Sequence, residues 1–295
     1  MMQTMIEQTV KKVKKTVNKR ILDILRCPIC NEKMNITENG ASLCCGGAKR
    51  HCYDFSSSGY INLSSPTQSG GGDSKAAVRA RSDFLDKQYY RPVADAIASM
   101  AKKYGDTQGI LIDAGCGEGY YSDILNKNGF SVIGADLSKF ATDAASKRLA
   151  RGGDQNYLFA VASVFSLPVE DAAAGVVTNV FAPCAEDEYC RVLDDEGVLI
   201  VAWAGPDHLM GLKRALYDTA HINGERADMP QKMNKIDEIR VSYTIHLESN
   251  GDIKNLFAMT PYYWRTSASD VDKLTDINEL DTDVDIIISV FKKQV

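Results

Sequence analysis

Short apolar runs recur between residues 110 and 204, separated by stretches of helical period. Residues 110–112, 130–136, 157–162, 175–181 and 197–204 have the length and near-continuous hydrophobicity of strands covered on both faces. Between them, Ser138 is placed to cap a helix through Arg148, and Ala182-Pro183-Cys184 opens a helix ending near Leu193. Gly205-Pro206-Asp207-His208 opens a long helix to about Ile222. Upstream, residues 76–85 carry Arg79 and Arg81 in a helical pattern, and a helix over 93–104 leads into the first strand. The last quarter predicts a strand at 242–247, a turn at Asn250-Gly251, and a final apolar strand at 284–291. Strands alternating with helices at this pitch predict an α/β, doubly wound parallel sheet.

The front of the chain breaks that pattern. Residues 1–20 set Lys11, Lys12, Lys14, Lys15, Lys19 and Arg20 among Val10, Val13 and Val17, which suits a short amphipathic helix or a disordered basic arm. Residues 21–63 read as short strands around Gly40 and Gly46-Gly47, and 64–74 (S-S-P-T-Q-S-G-G-G-D-S) have linker composition.

Charge sharpens the division. The 295 residues carry a net charge of −5, with 44% apolar and 25% charged positions, an ordinary globular composition. Residues 1–54 hold ten Lys/Arg against five Asp/Glu (+5), leaving twenty-four against thirty-four (−10) downstream. A basic front on an acidic body is the asymmetry expected if the front touches phosphates, although a solvated basic helix gives the same count. Asp270, Asp272, Asp276, Glu279, Asp281, Asp283 and Asp285 make the last segment a poor nucleic-acid surface. No apolar run approaches the ~20 residues needed to cross a bilayer, and the first twenty residues lack the apolar core of a secretory signal. A cytoplasmic, membrane-free protein is expected, in which the eight cysteines serve as metal ligands or core residues rather than disulfides.

Residues 109–122, G-I-L-I-D-A-G-C-G-E-G-Y-Y-S, carry the most informative chemistry. The first strand ends in Asp113, followed by Gly115, Gly117 and Gly119, before a helix-like segment. Glycines there let the backbone turn sharply and come close to a ligand. The dinucleotide pattern would need glycine at position 120, where Tyr120 stands. Acids beside the loop suit a cationic ligand better than a pyrophosphate. S-adenosylmethionine carries an ammonium and a sulfonium, so Asp113 and Glu118 can pair with its positive charge. Asp136 ends the next strand about twenty residues on, the spacing of a carboxylate that holds ribose hydroxyls. Ser163 lies at the carboxyl end of the third strand, where ligands bind in open α/β sheets.

Cys27-Pro28-Ile29-Cys30 can bind one face of a tetrahedral zinc, and Cys44, Cys45, His51 and Cys52 arrive at the right distance to complete it. Zinc needs four ligands and the chain offers six. Cys27, Cys30, Cys45 and His51 are the preferred set, with Cys44 and Cys52 as rivals. A redox C-x-x-C would instead expect a thioredoxin-like βαβ context. A module of about forty residues is too small for a large core, so zinc would hold it together.

Several blocks are recognisable together. Residues 50–63 (R-H-C-Y-D-F-S-S-S-G-Y-I-N-L), 83–92 (D-F-L-D-K-Q-Y-Y-R-P), 113–121, 181–184 (F-A-P-C), 205–210 (G-P-D-H-L-M) and 259–265 (M-T-P-Y-Y-W-R) resemble, in order, the bacterial 23S rRNA guanine-N1 methyltransferases. The resemblance runs from about residue 22 to the C-terminus. It implies a class I, Rossmann-like methyltransferase sheet behind a zinc module, and methyl transfer from S-adenosylmethionine to guanine N1 in an rRNA hairpin near the peptide exit tunnel. It also implies a homodimer and, in some members, macrolide resistance. The family's zinc ligands fall on Cys27, Cys30 and His51, with the third in the Cys44–Cys45 pair. Its cofactor contacts fall on Tyr90, the Gly117–Glu118 loop and His208. Two departures stand out: a lengthened gap between third and fourth ligands, and Phe181 where other members have tyrosine.

The expected organisation is a basic extension over 1–20, a zinc-binding rRNA-recognition module over 21–63, a linker over 64–85 and the methyltransferase domain over 86–295. Partners would be 23S rRNA or the large ribosomal subunit. Candidate groups around the acceptor base are Asn179, the 181–184 backbone, and Tyr120 or Tyr121 for stacking. Three alternatives remain: cytosine-C5 transfer with Cys184 as nucleophile, a small-molecule methyltransferase, and a catalytically idle ribosome-binding protein.

Overall fold

The computed structural model describes residues 17–65, 72–152, 156–224 and 226–294. Most of the basic arm and the middle of the expected linker, 66–71, therefore lie outside the described residues. The chain opens with α1 (Lys19–Ile24), capped by the Asn18 side chain, then β1 (Met34–Ile36), β2 (Ser42–Cys45), β3 (Cys52–Asp54) and β4 (Ile61–Asn62). Strands β1, β2 and β3 form a small antiparallel sheet. Next come α2 (Lys75–Leu85), α3 (Arg91–Tyr104), β5 (Ile110–Ala114), α4 (Tyr120–Lys127), β6 (Ser131–Asp136), α5 (Lys139–Ala150) and β7 (Tyr157–Val161). The chain continues through β8 (Ala174–Val180), α6 (Glu186–Val192), β9 (Leu193–Ala204) and α7 (Met210–Leu216). It ends with β10 (Met233–Leu247), α8 (Asn250–Ala258), a 3₁₀ turn (Pro261–Trp264), α9 (Ala268–Asp272) and β11 (Leu280–Lys293).

The large sheet has the order β10-β11-β9-β8-β5-β6-β7-β4. Strands β4 to β9 within it pair in parallel, and β10 and β11 are antiparallel. Every residue of β5 and β7 is buried, as parallel strands under helices on both faces must be. From β5 the chain proceeds through β6 to β7 on one side and then crosses back to β8 on the other, so the strand order reverses at β5. In open α/β sheets such a reversal marks the crevice, beyond the carboxyl ends of the strands, where ligands bind.

Four expectations need correction. Residues 205–222 are not one long helix. Pro206 and left-handed Leu209 (φ 59°) hold a turn, α7 spans only Met210–Leu216, and the Asn223 N–H returns to the Pro206 carbonyl. Asn250-Gly251 is not a turn but the first two residues of α8, because the Ser249 hydroxyl accepts the Asp252 N–H and starts a helix. Strand β10 begins nine residues earlier than its hydrophobicity indicated, since it is an edge strand paired along its length with β11. The fourth concerns residues 64–85. Their second half, α2, buries Val78, Phe84 and Leu85 in the core beside α5 and α8, so it belongs to the body of the fold and does not act as a tether.

The front module is likewise joined to the sheet. Ile61 and Asn62 add a parallel edge strand to β7, and Leu25 bridges Val169. Ile21, Leu25, Leu43, Ile61 and Leu63 share one apolar cluster with Ile112, Ile133 and Leu158. Residues 21–63 thus lean on the larger core rather than forming a core of their own. Among the described residues no helix is long and apolar enough to cross a membrane.

Candidate functional site

The three loop glycines follow β5 and have different physical reasons. Gly115 (φ 81°) could not carry a Cβ, which would lie 2.4 Å from the Ala182 Cβ. At Gly119 a Cβ would lie 2.8 Å from the Ala145 Cβ, so this glycine lets α4 and α5 approach. Only Gly117 (φ 54°) faces the crevice, where a Cβ would meet nothing nearer than Arg81 Nη1 at 3.6 Å. That bare patch of backbone forms an open cradle beside Arg81.

Asp136 closes the cradle from the end of β6. Its Oδ2 accepts the Gly117 N–H (3.1 Å) and its Oδ1 accepts the Ser138 N–H (2.7 Å). Burial raises its pKa, and the two backbone donors oppose that shift. Glu118 is 2% exposed. Its Oε1 accepts no hydrogen bond in the structure and lies 3.7 Å from the Arg148 guanidinium. Asp113, expected to pair with the ligand's positive charge, is turned inward: its oxygens accept the Ser122 and Thr178 hydroxyls, tying β5 to α4 and β8. Burial lifts its pKa to about 6 against those two donors. Ser163 is spent locally, its hydroxyl accepting the Phe165 N–H.

On the opposite wall Tyr90, His208 and Phe181 meet. The Tyr90 hydroxyl is 3.3 Å from His208 Nε2, and both residues are buried. His208 Nδ1 accepts the Asp285 backbone N–H (3.2 Å), so the ring proton must sit on Nε2. Burial depresses the His208 pKa to about 4 although Asp285 pulls the other way, leaving a neutral ring. The half-exposed Phe181 ring lies nearly parallel to His208, centroids 6.0 Å apart and planes 16° apart. Losing the tyrosine hydroxyl at 181 therefore leaves an apolar, stackable face.

Asn179 is not positioned to meet a substrate. It is fully buried, its amide donating to the Pro183 carbonyl and the Tyr189 hydroxyl, both at 2.9 Å. It shapes the 181–184 loop, together with Arg226, whose guanidinium donates to the Ala182 carbonyl (2.7 Å) and pairs with Asp228. Nothing in the local pattern around Arg226 pointed to this role, because only the fold brings it to that loop. Tyr121 packs edge-on to Tyr120 at 5.3 Å and forms part of the wall. Cys184 precedes α6 by two residues instead of starting it, and burial pushes its thiol up to about 11. A thiol held protonated is a poor nucleophile, so cytosine-C5 chemistry gains no support from this position.

The front module brings Cys27, Cys30, Cys45 and His51 together with ligand atoms all within 4.8 Å of one another. Cys27 Sγ to His51 Nδ1 is 3.5 Å, Cys45 Sγ to the same nitrogen 3.6 Å, and Cys30 Sγ to Cys45 Sγ 3.6 Å. Tetrahedral zinc with bonds of roughly 2.0–2.3 Å needs ligand separations of about 3.5–3.8 Å, so the donor set and its spacing fit. The His51 backbone N–H draws the Cys45 pKa down to about 6. The adjacent Cys30 is pushed up to about 11, since burial and the neighbouring thiols outweigh the Glu32 N–H. The rivals Cys44 and Cys52 are bonded to each other across β2 and β3. That disulfide corrects the expectation of reduced cysteines, and strand alternation explains it. Cys44 and Cys45 point to opposite faces, so only one of them reaches the cluster.

Sheet order, the glycine turn after β5 and the buried carboxylate that ends β6 together define a class I methyltransferase. Residues 111–197 match the family model described as a methyltransferase domain. A Bacillus subtilis protein, YxjB, carrying a provisional assignment as a 23S rRNA (guanine-N1)-methyltransferase, is 30% identical over 294 residues, covering 92% of this chain and 99% of that one. The Streptomyces fradiae 23S rRNA (guanine(748)-N1)-methyltransferase is 28% identical over 257 residues, covering 84% and 88%. The chain belongs to the 23S rRNA (guanine-N1)-methyltransferase family.

Proposed function

We propose that this protein transfers a methyl group from S-adenosylmethionine to N1 of a guanine in a 23S rRNA hairpin near the exit tunnel, working as a homodimer. Zinc in the Cys27, Cys30, Cys45 and His51 cluster would order the rRNA-recognition front, which we place at 21–63. The observation that carries the reading is the pairing, on one shared core, of an open cradle at Gly117 with a Cys₃His cluster of zinc dimensions.

Bound at Gly117 and Asp136, the cofactor supplies a methyl group made electrophilic by its sulfonium. The chain's own task is positioning, since in-line approach to about 3–3.5 Å accounts for much of such a rate enhancement. Guanine N1 is paired in a duplex, so the base must leave the helix to enter the crevice. Phe181, backed by His208, offers it a stacking face, and Asn179 with Arg226 holds the 181–184 backbone beside that face. Neutral Tyr90 and His208 line the cofactor side. His208 does not serve as the base for the N1 proton, because its free lone pair is taken by the Asp285 N–H.

Incubating purified protein with labelled cofactor and 23S rRNA fragments, then mapping the product by mass spectrometry, tests this. N1-methylguanine in one hairpin is expected. An unmodified hairpin, or label on a cytosine, would overturn the proposal. A change in macrolide sensitivity on deleting the gene would show a resistance role for the same mark.

A further inference from the structure

Arg81, on the inner face of α2, lies over the glycine loop with its Nη1 3.6 Å from where a Gly117 Cβ would stand. Its side chain is 24% exposed and pairs with Asp73 at 2.6 Å. Asp73 is itself anchored over the site, its carbonyl accepting the Ser138 hydroxyl at the start of α5. Asp73, Glu118 and Asp136 are the carboxylates acting on the guanidinium, so Arg81 brings a cation to an acidic cleft, with Arg148 beside Glu118 as a second.

That matters because a methyl donor of this class has a zwitterionic tail. Its sulfonium and ammonium suit the acids, but its α-carboxylate needs a cation of its own. Arg148 is also near, yet it is committed, donating to Asp86 Oδ1 (2.5 Å) and to the Glu118 carbonyl (3.1 Å). Arg81 is held by one carboxylate, Asp73, whose side chain is 39% exposed and can return to water. Swapping one carboxylate for another conserves charge in the cleft. A guanidinium is also the group best shaped to grip a carboxylate through two parallel hydrogen bonds.

We propose that Arg81 receives the α-carboxylate of the donor, exchanging Asp73 for it on binding. The inference rests on the reading of S-adenosylmethionine as cofactor. It makes Arg81 the residue that distinguishes the donor from analogues lacking the carboxylate.

Calorimetry with S-adenosylmethionine and with its decarboxylated form, on the full chain, tests this without turnover. Wild type should bind the decarboxylated form about 10- to 100-fold more weakly, the range for losing a charged hydrogen-bonded pair. Arg81→Gln should weaken S-adenosylmethionine by the same factor and leave the decarboxylated form within about twofold, with Arg81→Lys between. Equal loss of both ligands in Arg81→Gln, or a wild-type ratio near one, would overturn the role of Arg81 while leaving the methyltransferase reading intact. Absence of any donor binding by wild type would remove both. The wild-type ratio needs no mutant, so a ratio near one overturns the proposal even if Arg81→Gln folds poorly, and Arg81→Lys then assigns a larger ratio to this side chain.

Discussion

The crevice and the front module both place four or five chemically active side chains within reach of one another, but they are held by different means. Around the crevice, strands β5 to β9 bury nearly every side chain, and Gly115, Gly119 and Asp113 are fixed by contacts with neighbouring elements. Shape there follows from packing and exists before any ligand arrives. The front module has three short strands, one disulfide and a ligand cluster, and it takes its apolar support from the larger sheet. On the zinc reading proposed above, a metal would supply the cohesion that this small module's own packing lacks.

The largest expected effect follows from that dependence. Removing zinc, or making Cys45→Ser, should disorder residues 27–52 and abolish rRNA binding, while donor affinity stays within about threefold, since structural zinc contributes on the order of 10 kcal/mol to such modules. Cys52→Ser should retain one zinc, because the rival cysteines lie outside the cluster. Atomic absorption, gel shift and calorimetry read the three quantities. Loss of donor binding together with zinc would show the two regions to be one unit.

The glycines give the next effect. Gly115→Ala meets Ala182 at 2.4 Å with a positive φ, so stability should fall by about 2–4 kcal/mol from overpacking plus backbone strain. Gly117→Ala should lower stability by only about 1 kcal/mol yet weaken donor binding tenfold or more, since only the crevice is filled. Urea unfolding beside calorimetry separates them. Equal stability losses would contradict the division of labour among these residues.

Asp113 predicts a pH effect confined to the body. Its folded pKa, about 6, lies above the ordinary 3.8, so the folded state holds the proton more tightly. The stabilisation this gives is complete below about pH 4 and is lost as pH rises through 6, roughly 3 kcal/mol at most. Asp113→Asn should flatten the unfolding free energy between pH 4 and 6 relative to wild type. An unchanged slope would mean that Asp113 ionises freely within the fold.

The smallest effect is expected at Cys184. Cys184→Ala should leave methylation within about threefold, its thiol being held protonated. Loss of activity, with a covalent adduct to fluorocytosine-containing RNA, would reverse the assignment of the acceptor base.

Local rules acting on neighbouring residues were legible without the fold. Strands β5 to β9, the Ser138 cap, the bare loop from Gly115 to Gly119 and the Cys27–Cys30 hook each follow from residues within one or two turns of each other. Periodicity, backbone freedom and ligand spacing are short-range properties. What failed to show were consequences of contacts between distant segments. The sequence cannot reveal that Asp113 turns inward to Ser122 and Thr178, that Asn179 is occupied by Pro183 and Tyr189, or that Arg226 braces residue 182. The same holds for the return of Asn223 to the Pro206 carbonyl beyond α7, and for the extent of β10, set by pairing with β11. Sequence spacing favoured Cys45 over its neighbour but left Cys44 as a rival. Tertiary structure places only Cys45 beside Cys27, Cys30 and His51, because strand alternation sends the two cysteines to opposite faces. It also brought Arg81 from an apparent linker to the cofactor cradle, a placement made by the packing of Phe84 and Leu85 into a core formed by residues far along the chain.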